Sequence, residues 1–145
     1  MTPTLLRLTK FCFDRAALNL DDRVDFIAEL PSGERDRQRW FITLQQQLRF
    51  PYYFGHNWDA LYECLRDFHW IKNRRIVIAH RDLPQLGAHD TRLYLEILSD
   101  AVVDWVTRLG DHELAVLFPQ STRAAIAELL GEQSGPSNGN GSRHE

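Results

Sequence analysis

Three short apolar runs, at about 24–30, 75–80 and 113–118, are separated by intervals long enough to hold helices. That spacing constrains the fold more than any other feature of the chain. Val24-Asp-Phe-Ile-Ala-Glu-Leu30 is stopped by Pro31-Ser-Gly33, and Glu113-Leu-Ala-Val-Leu-Phe118 by Pro119. Between them, Ile76-Val-Ile-Ala79 is β-branched and uninterrupted, as in a strand buried on both faces. Parallel neighbours need crossovers of a dozen or more residues, usually helical. The expected fold class is therefore α/β, a small three-stranded parallel sheet packed with helices in the order β-α-α-β-α-β-α. Leu5 to Phe13, apolar and free of Gly and Pro, is a candidate extra N-terminal strand.

The intervals carry helical periodicity. Glu34 to Phe50 places Trp40, Leu44 and Leu48 on one face, with Arg35, Arg37 and Arg39 outside. Asp90, read as an N-cap, opens a long helix that Gly110 stops. Its face is Leu93, Ile97, Ala101 and Trp105, and Glu96, Asp100 and Asp104 form an acidic ladder at four-residue steps. Ser121 is expected to cap a last helix ending at Leu130. At 145 residues there is material for one core. The expected organisation is an N-terminal extension over 1–22, a domain over 23–130, and a disordered polar tail over 131–145, where Gly, Ser and Asn dominate.

The most distinctive stretch runs from Phe50 to Phe68. It begins as a turn, with Pro51 fixing φ, Gly55 allowing positive φ and Asn57 suited to cap a helix. Trp58, Leu61, Leu65 and Phe68 then share an apolar face, while Asp59, Glu63 and Asp67 recur at four-residue steps on another. Like charges so spaced cost a helix roughly 0.2–0.5 kcal/mol per pair, a cost that a cationic partner relieves. Most charged stripes are solvated outer faces. Here there are two acidic ladders without lysine, and Tyr53, Phe54, Tyr62 and Phe68 adjoin the first. That combination favours an acidic protein-binding surface.

Other chemistry finds less support. The net charge of −3 and the lack of a basic stripe argue against direct nucleic-acid binding. Gly33, Gly55, Gly87 and Gly110 are isolated, so no phosphate-cradling loop is present. The six histidines form no HxH or HxxxH pair, and neither a metal nor a cofactor site is expected. Cys12 and Cys64 read as reduced thiols, Cys64 as a small buried hydrophobe. A Cys–His nucleophile, or Asp59 and Glu63 as an acid–base pair, would need a cleft that no local feature supplies. No leader and no apolar run of membrane-spanning length stand out, so the expected location is cytoplasmic, with no membrane association.

The run Pro51-x-Tyr53-x-Gly55-x-Asn57-x-Asp59-Ala60-Leu61-x-x-Cys64-Leu65 closely resembles the barstar family of bacterial ribonuclease inhibitors. The resemblance implies a barstar-like sheet with helices around it and a non-catalytic protein, monomeric when free, that plugs the active site of a small basic ribonuclease toxin. It also implies roles for particular residues. Glu63 falls at the family's principal acid and Asp59 at the acid before it, while Tyr53, Tyr62 and Phe68 fall at packing aromatics. Asp100 and Asp104 are matched to a flanking acid by helix position alone. A carboxylate on a rigid helix can stand where a substrate phosphate would, held by charge-assisted hydrogen bonds. Glu63 is one methylene longer than the Asp of the best-known member, and Tyr62 and Phe68 replace tryptophans. The alternative, from another class, is a binding module that regulates a different basic partner.

Overall fold

The computed structural model describes residues 6–132; the tail expected to be disordered lies outside them from residue 133. The strands are β1 (Phe11–Cys12), β2 (Phe26–Leu30), β3 (Arg75–His80) and β4 (Glu113–Leu117). The helices are α1 (Arg37–Leu48), α2 (Trp58–Leu65), α3 (Ala88–Asp104) and α4 (Arg123–Leu130). The sheet is parallel throughout, in the order β1-β4-β3-β2, so the extra N-terminal strand is present and forms one edge. Of the described residues in the expected Leu5–Phe13 run, only Phe11 and Cys12 are strand, because Arg7–Lys10 closes into a 3-10 turn first. Residues 1–22, expected as an extension, are in their described part woven into the domain: Phe11 and Cys12 align with Val116 and Leu117.

Side chains alternate across a strand, and β3 uses both faces. Ile76 and Ile78 enter the main core with Trp40, Leu44, Leu61, Tyr94 and Leu98 from the helices. Val77 and Ala79 face the other way and meet Leu117, with Leu18 and Leu20 of the β1–β2 connection laid over them. Helices therefore cover one face and a single N-terminal segment the other. At the strand starts, Arg75 donates to both oxygens of Asp25, at 3.1 and 2.9 Å. That bidentate pair holds the Asp25 carboxyl below the ordinary range and fixes the β2–β3 register, Phe26 against Ile76.

Two expected caps differ. Asp90 lies in the first turn of α3, after Gly87 at φ +92°, and its carboxylate instead accepts from Trp58 Nε1 at 3.3 Å and pairs with Arg37 at 3.4 Å. Thr122, not Ser121, precedes α4, behind a 3-10 turn at Gln120–Thr122. The end of the long helix also departs from α geometry, since Trp105–Leu109 winds as a π turn before Gly110 at φ +83°. Val106, on this turn, is 80% exposed.

His80 is buried where β3, β4 and α3 meet. Its Nδ1–H donates to the Leu117 carbonyl at 3.0 Å, leaving Nε2 to accept from the Tyr94 hydroxyl at 2.6 Å. Burial lowers its pKa to about 3, so the ring is neutral in the folded protein. The unfolded chain binds this proton near pH 6.5, hence between pH 6.5 and 3 it carries more protons than the native state. Stability should be full above pH 6.5 and fall on acidification by up to about 1.4 kcal/mol per pH unit. Urea titrations at pH 7.5, 6.5, 5.5 and 4.5 should show this slope, and His80→Gln should flatten it.

Candidate functional site

The loop before α2 is built for a fixed entry. Phe54 N–H donates to the Pro51 carbonyl at 3.0 Å, and Gln45 of α1 reaches the same carbonyl at 3.2 Å and His56 Nε2 at 2.8 Å. Positive φ falls on His56, at +52°, not on Gly55. Gly55 is needed for space, because a Cβ there would meet Asn57 Nδ2 at 3.0 Å. Asn57 Oδ1 accepts from Ala60 N at 2.8 Å, which starts α2, and Asp59 lies in the first turn, where negative charge suits the helix dipole.

α2 ends earlier than its periodicity predicts. Arg66 leaves helical geometry, Trp105 Nε1–H donates to the Leu65 carbonyl at 2.8 Å, and Phe68 sits at φ +50°. The ladder on the helix thus has two rungs, Asp59 and Glu63, both exposed. Asp67 turns into the following loop, where its carboxylate bonds His69 Nδ1 at 2.9 Å. Phe68, expected as a partner contact, is a correction. The left-handed turn drives its ring inward, where it is 0% exposed and packed against Trp70, Trp105 and His112.

The second ladder is neutralised within the molecule. Glu96 pairs with Arg92 at 3.0 Å, and Asp100 with Arg7 at 2.7 Å. Asp104 is 8% exposed and receives the Tyr62 hydroxyl at 2.9 Å and Arg108 at 2.9 Å, with Arg66 Nε 2.6 Å away. Burial alone would raise the Asp104 carboxyl, but the Tyr62 and Arg108 hydrogen bonds and the two guanidinium charges hold it below the usual range. Burial, then the bond to Asp104, raises Tyr62. Asp104 is therefore a buried tie between α2 and α3, and its expected place on an exposed flank is corrected. By contrast, Asp59 and Glu63 enter no ion pair among the described residues.

Glu63 borders an open groove of about 700 Å³ with Tyr53, Arg66, Asp67, His69 and Asp111 on its sides and Trp105 and His112 toward its floor. Tyr53 is 60% exposed and its ring packs edge-on to Tyr52, 5.6 Å away. Asp111 gave no sequence signal, because it follows the end of a helix and belongs to no periodic face. Cys64 also borders the groove, but burial and the Asp67 and Glu63 charges push its thiol up to about 11, so it is protonated and not nucleophilic near neutrality. Among the described residues, no group of three or more His, Cys, Asp or Glu is placed to hold a metal ion. None of their helices is long and apolar enough to cross a membrane.

The groove, the braced turn and both free carboxylates lie between Gln45 and His112. A family model described as Barstar (barnase inhibitor) matches residues 13–119, which contain all of them. The chain belongs to the barstar family. Searches of curated proteins and of solved structures found no match. The barstar match begins at residue 13, inside the segment expected as an N-terminal extension, and that is where the chain leaves β1 to cross the sheet.

Substitutions separate the buried aromatic of this region from the exposed one. Phe68→Ala should lower unfolding free energy by roughly 3–5 kcal/mol, as for a core aromatic. Tyr53→Ala should change it by less than about 0.5 kcal/mol. Paired urea denaturation curves check both.

Proposed function

We propose that this chain is a cytoplasmic, non-catalytic inhibitor of a small basic ribonuclease. In this reading α2 enters the nuclease active site, with Glu63 as the anchor where substrate phosphate would bind and Asp59 pairing beside it. Tyr53 packs on the enzyme, and Tyr62 serves from within by holding α2 to α3. One observation carries the reading: the acids of α3 are all neutralised internally, while the two on α2 are exposed and enter no ion pair among the described residues. Their mutual repulsion is relieved when a cationic site closes over them. Family membership, described by barnase inhibition, supports the same assignment.

Asp100 is left out of the contact set, because its carboxylate is taken by Arg7, which also donates to Ser99 Oγ at 2.7 Å and the Glu96 carbonyl at 3.0 Å. Glu132, at the start of the polar tail, is likewise engaged, accepting from the backbone N–H groups of Arg7 and Leu8 at 2.9 Å each. Glu128, exposed on α4, is the better charge control.

Barnase inhibition and binding kinetics test the proposal. Glu63→Ala should weaken affinity by roughly a hundredfold or more, since a buried cation left unpaired costs about 3 kcal/mol or more. Glu128→Ala should leave it within about twofold, as surface changes usually do. Association should slow as salt rises, because long-range attraction is screened. Equal affinities for the two variants, with a rate indifferent to salt, would sink the anchor assignment.

A further inference from the structure

Asp104 has more partners than its own solvation requires. Arg108 donates to Oδ1 and Tyr62 to Oδ2, so each carboxylate oxygen is satisfied without Arg66. Yet Arg66 Nε also lies 2.6 Å from Oδ2, and its guanidinium is drawn over the Tyr62 ring, 4.6 Å from the centroid. The consequence falls on Arg66. It stands three residues beyond Glu63 at the end of α2, and both side chains border the groove. Side chains three apart on a helix surface are neighbours, and a carboxylate and a guanidinium so placed pair readily. A guanidinium on Glu63 would cancel the charge that the inhibitor reading assigns to the anchor. Asp104 and Tyr62 hold it from the opposite side.

We propose that Asp104 is a positioning residue that draws Arg66 away from Glu63 and so keeps the anchor carboxylate open to a cation of the bound ribonuclease. This rests on the inhibitor reading for its consequence, but not for its geometry. Among its lining residues the groove then sets three carboxylates, Glu63, Asp67 and Asp111, against the one guanidinium of Arg66, which is ion-paired to Asp104. Asp104 never touches the partner. Its effect passes through Arg66 alone.

The test uses the full chain, barnase as the probe, and Asp104→Asn, which keeps the side-chain shape and an acceptor for Tyr62. A crystal structure of D104N should show the Arg66 guanidinium within about 4 Å of the Glu63 carboxylate. Affinity for barnase should fall about tenfold, the scale of one lost charge-assisted contact. Removing the freed cation in D104N/R66Q should restore affinity to within about twofold, which repair of a merely structural defect would not do. Glu128→Gln, with the same change in net charge outside the groove, should stay within about twofold. Arg66 remaining over Tyr62 in D104N, or a double variant no tighter than D104N, overturns the proposal. If the wild-type chain does not bind barnase, that result counts against the ribonuclease reading, and the position of Arg66 in D104N still decides this one.

Discussion

A short helix carrying two repelling carboxylates persists only if its ends and its back are fixed, and the rest of this structure depends on how α2 is held. Asn57 closes its start and the Trp105 indole closes its end, so both termini of an eight-residue helix are satisfied by side chains. Leu61 and Leu65 are buried at its back, and the Asp104 carboxylate ties Tyr62 and Arg66 to α3. The cost of the exposed charges is small beside that of extracting these apolar groups. At about 25 cal/mol per Å², the burial of two leucines outweighs a like-charge pair several-fold. Rigidity of this kind matters for binding, since a presented carboxylate that is already ordered loses little further freedom on docking.

The molecule divides its acidic residues by what they do. On α3 they are internal fasteners: Asp100 secures the N-terminal turn through Arg7, and Asp104 secures α2. On α2 they remain outward and, among the described residues, enter no ion pair. An acid therefore reads as contact or as tie according to which arginine the fold brings to it, and those arginines come from distant parts of the chain. Arg7 reaches Asp100 across 93 residues, a separation no local pattern reveals.

Much of the fold was legible because it rests on local physics. Ile76 to Ala79 is β-branched and apolar on both faces, and it is the strand with both faces buried. Asn57 as a cap and Gly110 as a stop follow from side-chain and backbone chemistry and were read correctly. The spacing of Phe68 puts it on the apolar face with Leu61 and Leu65, and its ring is buried as they are; the partner-contact role that fails came from the family resemblance alone. The left-handed turn at Phe68 has no glycine to mark it, so the end of α2 at Leu65 carries no local signal. The residue type of Asp90 suits a cap, whereas its tertiary partners Trp58 and Arg37 claim its carboxylate. Asp104 looked exposed because its neighbours on the ladder suggested a solvated stripe; only the packing of α2 on α3 buries it. The groove itself, with Asp111, arises where α2 meets the loop after α3, and two segments far apart in sequence give no joint signal.

In the proposed complex, α2 and the groove beside it form the surface that meets a basic ribonuclease. Mapping amide chemical-shift perturbations on the full chain during titration with barnase tests it most directly. Perturbations should concentrate over Tyr53, Asp59, Glu63, Asp67 and Asp111, with α1 and the exposed edge of β2 unaffected. Perturbations centred on α1 or β2, with α2 silent, would contradict it.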